Sequence, residues 1–196
     1  MAISKLTKLG EEFAKTGFKP MGDDSLRWLK NKIAEIRSPA FISAQMANEK
    51  SRKVSKLSVG KLYAFYYDPK GKESLPYYDT FPMVIVLDTH DDGFMGLNLH
   101  YLPYQYRVAF LKKLMNYAVL GQDNEIERLR VSYDILSASK RLKEFKPCLK
   151  KYLYGHVKSR LLAIQAEEYQ IASLLPLQQF RKTTSGHVWA ESIKGL

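Results

Sequence analysis

Hydrophobic positions in the first quarter of the chain recur at helical spacing. Leu6, Leu9 and Phe13 share one face of a first predicted helix, and a second helix is predicted to open at "GDDS". The stripe of this second helix consists of Leu26, Leu29, Ile33 and Ile36. It is expected to end at Pro39, because proline interrupts a helix. The next stretch, "AFISAQMANEKSRKVSK", becomes polar and basic, which is typical of a connector or an arm.

From Gly60 the period changes from helical to alternating. In "KLYAFYYDP" one face carries Tyr63, Phe65 and Tyr67 and the other carries apolar residues as well, so this strand is expected to be covered on both sides. "FPMVIVLD" and "FMGLNLHYLP" predict two more strands, which the loop "DTHDDGF" joins by a tight hairpin turn. Gly96 indicates a bulge or a close backbone approach within the third strand.

Downstream of Pro103 the helical period returns in "YQYRVAFLKKLMNYAVL", which predicts a helix covering one side of the sheet. "NEIERLRVSYDILSAS" fits a helix or a strand, and we favour a strand that passes into a helix. The basic run from 140 to 160 predicts a short helix whose apolar side holds Cys148, Leu149, Tyr152 and Leu153. "LLAIQ" is expected to be a returning strand and "AEEYQIASLLP" a helix of one or two turns.

These elements predict an α+β fold, with a small SH3-like or curled antiparallel sheet flanked by helices and an N-terminal helical arm. We divide the chain into a basic helical extension at 1–57, a core domain at 58–180 and a C-terminal tail at 181–196. The core domain is expected to fold without the extension. The extension itself is either a solvated helical pair packed on its own domain or an arm that docks on a partner.

Composition narrows the class of protein. Of 196 residues 45% are hydrophobic, which is enough for a packed core. No apolar run is long enough for a membrane span or a signal peptide, so we expect a soluble protein without export or membrane contact. A single cysteine excludes an internal disulfide and a thiol zinc cluster. The net charge of +11 predicts attraction to phosphate backbones, acidic proteins or acidic membrane surfaces.

Candidate catalytic groups are few. Cys148 and His156 are two helical turns apart in the predicted helix, but a solitary cysteine on an apolar stripe is most often packing. Asp88, His90, Asp91 and Asp92 lack the ligand spacing of a calcium loop and fit a solvated hairpin tip better. Zinc motifs and glycine-rich phosphate loops are missing from the sequence. We therefore expect no enzymatic activity, no cofactor and no metal.

The aromatic residues between Lys61 and Pro103 allow two interpretations. Aromatic side chains on a sheet stack on bases when basic residues interleave with them. Here the neighbours are mainly aliphatic, so we favour a core role for Tyr63, Phe65, Tyr66, Phe81, Phe94 and Tyr101. The candidate contacts to a partner or to phosphate are cations further along the chain, namely Lys140, Arg141, Lys143, Lys146, Lys150, Lys151, Lys158 and Arg160.

"GKLYAFYYDPKGKESLPYYDTFPMVIVLDTHDDGFMGLNLHYLP" and the later "YLYGHVKSRLLAIQAEEYQIASLLPLQQF" resemble a small virion or assembly protein of T4-like contractile-tailed bacteriophages. The resemblance covers about half of the chain and implies a baseplate, neck or DNA end protector role, with no catalytic residues. We expect a non-enzymatic structural subunit, in the tail, baseplate or neck, that docks in several copies on neighbouring virion proteins in a symmetric particle assembled in the host cytoplasm. The alternative is a nucleic-acid-binding protein that holds or protects packaged DNA ends.

Overall fold

A computed structural model describes residues 3–36, 38–120 and 143–194, together with five single positions between 126 and 137. The helices in this part of the chain are α1 Lys5–Ala14, α2 Asp23–Ala34, α3 Pro39–Asn48, α4 Tyr104–Leu120, α5 Tyr169–Leu174 and α6 Ser185–Ile193. The strands are β1 Lys53–Val54, β2 Leu62–Ala64, β3 Tyr78–Asp79, β4 Met83–His90, β5 Gly93–Asn98, β6 Leu149–Leu153, β7 Leu161–Ile164 and β8 Phe180–Arg181.

The main sheet has the order β1-β7-β2-β4-β5-β6, and its neighbouring strands pair antiparallel. Strands β3 and β8 form a second, two-stranded sheet. The predicted α+β class and the antiparallel sheet flanked by helices are confirmed. The closer likeness to an SH3 domain stays a prediction.

The strand at Leu62–Ala64 is covered on both faces, as the alternating pattern predicts. Leu62 and Ala64 belong to the larger apolar cluster, which the helices cover. Tyr63, Phe65 and Tyr67 belong to a second cluster, to which all six strands of the main sheet contribute side chains. The rings of Phe65 and Tyr67, which follow β2, contact that of Tyr152 on β6, with β4 and β5 between these strands, so the sheet is curled.

Two contacts draw the curled sheet together near its β6 edge. The rings of Tyr67 and Tyr152 lie 4.9 Å apart between centroids, although two strands, β4 and β5, lie between β2, which precedes Tyr67, and β6, which contains Tyr152. The Leu153 amide donates a hydrogen bond to the Tyr67 hydroxyl at 3.2 Å. The core interpretation of the aromatic segment is confirmed for Phe65, Phe81 and Phe94, none of which is exposed to solvent.

Strands β4 and β5 form the predicted tight hairpin, in which His90 pairs with Gly93 across Asp91 and Asp92. Gly96 is a site of close approach, because a Cβ there would lie 2.1 Å from a methyl carbon of Val84. The register of the hairpin shifts on the opposite strand between Val86 and Asp88. Of the two alternatives offered for Gly96, the close approach is therefore confirmed, whereas the extra residue of the register shift lies on β4 and not on the strand that contains Gly96.

Two local predictions are wrong. The second helix was predicted to end at Pro39, but α2 ends at Ala34. Pro39 is instead the first residue of α3, where its missing amide proton costs no hydrogen bond. The run predicted as one short helix with Cys148 and Tyr152 on its apolar side is a 3₁₀ turn, Lys143–Cys148, followed by the edge strand β6. The ambiguous segment 124–139 lies almost wholly outside the described residues.

The N-terminal helices contribute directly to the main core. Leu6 and Leu9 of α1, Leu29 of α2 and Ile42 and Met46 of α3 are buried in the same apolar cluster as the sheet residues. Strand β1 also pairs with β7, so the segment before residue 57 adds a strand to the main sheet. The packing therefore argues against a separable extension, although independent folding of 58–180 stays a matter for experiment.

The C-terminal tail also packs on the rest of the chain. Phe180 and Arg181 pair with Asp79 and Tyr78, and Val188 of α6 is fully buried in the main core. The indole of Trp189 donates a hydrogen bond to the backbone oxygen of His100 at 2.9 Å. The described part of this segment, 181–194, thus packs over the end of β5.

Candidate nucleic-acid interface

The structure describes the side chains of five of the eight cations predicted as contacts, and these five lie on two segments. Lys140 and Arg141 lie outside the described residues, as does the side chain of Lys143. Lys146, Lys150 and Lys151 lie at or beside edge strand β6, whereas Lys158 and Arg160 lie on the connection that enters β7. The structure brings these two groups to different parts of the sheet order. Their role as contacts stays a prediction for each group separately.

Of the cations near β6, only Lys146 is both exposed and without an ion-pair partner among the described residues. The ammonium of Lys150 lies 4.4 Å from the centre of the Tyr101 ring. The ammonium of Lys150 is partly withdrawn from solvent, and this burial lowers its pKa. Lys151 donates a hydrogen bond to the Asp92 carboxylate at 2.8 Å. Lys150 and Lys151 therefore have structural partners that compete with a phosphate.

A second group of cations lies where β1 and β7 meet. Val54 pairs with Leu161, so Lys53 and Lys56 on one segment lie near Arg160 and Lys158 on the other. All four side chains are exposed, and none has an ion-pair partner within the described residues. We call Lys53, Lys56, Lys158 and Arg160 the cationic edge. Sequence reasoning found two of its members and missed the two that strand pairing supplies.

Two acidic groups near the cationic edge along the chain, the carboxylates of Glu49 and Glu168, are occupied by Arg52. Its guanidinium contacts Glu49 at 2.6 Å and the Glu168 carboxylate at 2.8 Å, and the side chain is only 7% exposed. It also donates a hydrogen bond to the Thr7 hydroxyl. Burial alone would lower the pKa of Arg52, but the two carboxylates outweigh it and raise the pKa above its ordinary value. The carboxylates are therefore unable to neutralise the exposed lysines.

The candidate nucleophile and the acidic hairpin tip behave as the sequence suggests. Cys148 is buried, and burial raises the pKa of its thiol to about 12, so the thiol stays protonated near neutral pH. Asp88, His90, Asp91 and Asp92 are exposed at the β4–β5 turn. Within the described residues there is no group of three or more metal-binding side chains. The expectation that the protein lacks catalytic activity stays a prediction.

A buried carboxylate–imidazole pair holds the end of β5 in place. Asp79 and His100 are joined at 2.6 Å, and the other carboxylate oxygen accepts hydrogen bonds from the amides of Phe81 and Gln179, each at 3.0 Å. Burial lowers the pKa of His100. Burial would raise the pKa of Asp79, but the hydrogen bonds from His100 and the two amides lower it. We therefore expect an ionised Asp79 beside a neutral His100 at neutral pH.

Acidification is expected to destabilise the protein because of this pair. The unfolded chain takes up the His100 proton near its ordinary pKa of about 6.5, whereas the folded protein does so at lower pH. Stability should therefore fall as pH drops below about 6.5, and Asp79 adds a further loss below about 3.9. Thermal melts across this range test the expectation. His100→Gln should flatten the first part of the fall, and the exposed control His90→Gln should not.

In the described part of the chain, no helix has the length and apolar character needed to cross a bilayer. Fold and surface together define a strongly basic α+β protein with an exposed cationic edge beside its curled sheet.

The chain belongs to the family of phage T4 terminal DNA protecting proteins, whose family model matches residues 28–192. This match confirms the resemblance to T4-like phage proteins of the DNA end protector type. It also extends the resemblance towards the N-terminus, to include α3, β1 and the last seven residues of α2. Neither a curated protein nor a solved structure matches the chain.

Proposed function

We propose that the protein binds the ends of linear double-stranded phage DNA and shields them by occupying them. The observation that carries the proposal is the cationic edge, a set of four exposed cations without an ion-pair partner among the described residues, beside two carboxylates, Glu49 and Glu168, that Arg52 engages. The family description supplies the class of ligand that such a surface suits. Family membership thus favours the alternative function over a position in the tail or baseplate.

Duplex DNA presents a dense row of phosphates to such a surface. One negative charge occurs for about every 1.7 Å of helix axis, and each phosphate that a lysine or arginine neutralises releases condensed counterions. Two neighbouring segments at the β1–β7 junction, with cations on both, can contact several phosphates at once. With four contacts, the log–log dependence of affinity on salt should have a slope of about −3.6, at about −0.9 per contact.

Shielding of this kind needs no chemical step. A bound protein blocks an exonuclease because both compete for the same end, and the residence time of the complex sets the protection. We therefore propose a non-enzymatic protein that acts in the virion or on phage DNA in the host cell, with DNA and other phage components as partners. The number of copies per particle stays a prediction.

The test compares the full chain on a blunt-ended linear duplex and on a closed circle of the same sequence, over a range of salt concentrations. Binding to the linear form should be tighter than the roughly 10⁻⁴–10⁻⁶ M typical of non-specific contacts near physiological salt. The linear duplex should also resist an exonuclease that digests from ends. Equal affinity for both forms, with no protection, would make the proposal wrong.

A charge-reversed variant tests whether the cationic edge is the surface that binds DNA. Changing Lys53, Lys56, Lys158 and Arg160 to Glu is expected to abolish protection and flatten the salt dependence. The matched control changes four exposed lysines on or beside α1 and α2 to Glu, namely Lys8, Lys15, Lys19 and Lys30, and so alters the net charge equally. Loss of protection in both variants would show that only overall charge matters and would remove the assignment to the cationic edge.

A further inference from the structure

Cations alone do not distinguish the end of a duplex from its interior. Contacts to phosphate and sugar fix orientation on DNA but are available all along the helix. One feature that an open end adds is the uncovered flat face of the last base pair. Aromatic side chains bind such a face by stacking, with little dependence on which base is present. An end-binding protein therefore gains selectivity from an exposed aromatic ring close to its cations.

Among the described residues, the large aromatic side chains with substantial exposure are Phe18, Phe41, Tyr133 and Tyr154. Phe18 precedes the residues that the family model matches. Phe41 lies on α3, a helix without a lysine or arginine. The residues on either side of Tyr133 are partly outside the described chain. Tyr154, which is 43% exposed, is the one that lies within a run of described cations.

Tyr154 is held on a rigid connection between β6 and β7. Its amide donates a hydrogen bond to the Asp92 oxygen at 3.1 Å, and its ring lies against Phe94 with centroids 5.9 Å apart. On the far side, the Asp68 amide donates to the His156 oxygen at 3.0 Å and the Lys158 amide donates to the Tyr66 oxygen at 2.8 Å. A ring on a connection fixed at both ends loses little conformational freedom when it stacks.

The backbone that follows Tyr154 is not covered by other parts of the described chain. Gly155 follows Tyr154, and a Cβ placed there would meet no atom within 4 Å. Lys158 and Arg160 of the cationic edge lie four and six residues further along, so an extended chain places them within about 20 Å of Tyr154. This is about six base pairs of duplex, at about 3.4 Å each. The nearby carboxylates of Asp68 and Asp92 contact Lys72 and Lys151.

We propose that Tyr154 stacks on the terminal base pair of duplex DNA while Lys158 and Arg160 contact phosphates of the last turn. This proposal rests on the proposed function and deepens it, because it names the group that separates an end from the interior. It places the end-reading residue at the start of the connection between edge strand β6 and strand β7.

The test uses two DNA ligands of equal length, an open blunt duplex and a dumbbell whose ends are closed by loops. Tyr154→Ala should weaken binding to the open duplex by roughly 5- to 150-fold, the range expected for loss of one base–aromatic stack, and leave dumbbell binding unchanged. Tyr154→Phe should retain end preference, because the flat ring remains. Phe41→Ala, at an exposed aromatic without neighbouring cations, serves as the matched control and should behave as wild type.

A fluorescent base analogue gives a signature that a purely structural role would not produce. With 2-aminopurine in the terminal pair, binding of the wild-type protein should change the emission, and the change should vanish in Tyr154→Ala and for an internal analogue. Should Tyr154→Ala lower the melting temperature, Tyr154→Leu keeps apolar volume against Phe94 while removing the flat ring. End preference retained in Tyr154→Leu would overturn the proposal.

The two proposals fail in different ways. If the wild-type protein prefers open ends and the Tyr154 variants do so equally, the stacking role is wrong and the DNA-end function stands. If the wild-type protein binds the open duplex and the dumbbell alike and gives no protection, the DNA-end function is wrong. The stacking role then falls with it, since there is no end recognition left to account for.

Discussion

Removal of residues 1–57 is expected to leave a chain that does not unfold cooperatively. The deletion takes away buried side chains from all three N-terminal helices, and it removes strand β1 from its pairing with β7. It also removes Arg52, which leaves the Glu168 carboxylate, only 16% exposed, without its guanidinium partner. Breaking a buried ion pair from one side costs about 3–5 kcal/mol, and each large apolar truncation costs about 2–5 kcal/mol. The sum exceeds the roughly 5–15 kcal/mol of a typical domain.

The experiment compares thermal unfolding and amide dispersion of 58–196 with those of the full chain. Removal of residues 1–3 alone is the control. It leaves Ser4, whose hydroxyl caps α1 by accepting a hydrogen bond from the Thr7 amide, and it should unfold like the full chain. A single cooperative transition in 58–196 would restore the domain boundary predicted from the sequence.

The sequence predicted those elements whose boundaries are set by local signals. The helix α4 begins directly after Pro103, and the β4–β5 hairpin closes at an Asp-Gly pair that favours a tight turn. In both cases the periodicity and the breaker residue agree. A helix or strand can be predicted from a single sequence when its local signals agree in this way.

Strand β6 shows where local pattern fails. Its neighbourhood places apolar residues at Cys148, Leu149, Tyr152 and Leu153, which satisfies helical spacing. The segment is nevertheless a strand, because it pairs with β5 from Leu97–Leu149 to Gly93–Leu153, about fifty positions away. A ten-residue window of sequence does not include a pairing partner at that distance, so the local pattern cannot indicate the strand.

The sequence pattern also failed to predict which charged side chains are buried. Arg107 lies inside the correctly predicted helix α4, and a periodicity argument places an arginine on the solvent face. It is instead fully buried, with hydrogen bonds from its guanidinium to the backbone oxygens of Leu99 at 3.1 Å and Leu102 at 3.2 Å. Arg52 similarly finds Glu168 across 116 positions of sequence. The cationic edge depends on the same kind of long-range pairing.

Phe65→Ala is expected to lower the free energy of unfolding by about 3–5 kcal/mol, since truncation of a buried phenylalanine leaves a cavity. Phe65 is fully buried, and its ring contacts those of Tyr67, Phe94 and Tyr152 with centroids 6.1, 5.7 and 5.3 Å away. Aromatic pairs of this kind add to the loss beyond the buried area.

Chemical denaturation of the wild type, Phe65→Ala and the exposed control Phe41→Ala measures this cost. The control ring is 64% exposed and should change stability little. The same three proteins separate core packing from ligand stacking, because a core residue lowers stability whether or not DNA is present. Weaker DNA binding by Phe65→Ala at an unchanged denaturation midpoint would contradict the core role and would mean that the aromatic face of the curled sheet binds a ligand. The contact between Tyr67 and Tyr152 closes that face and argues against such binding.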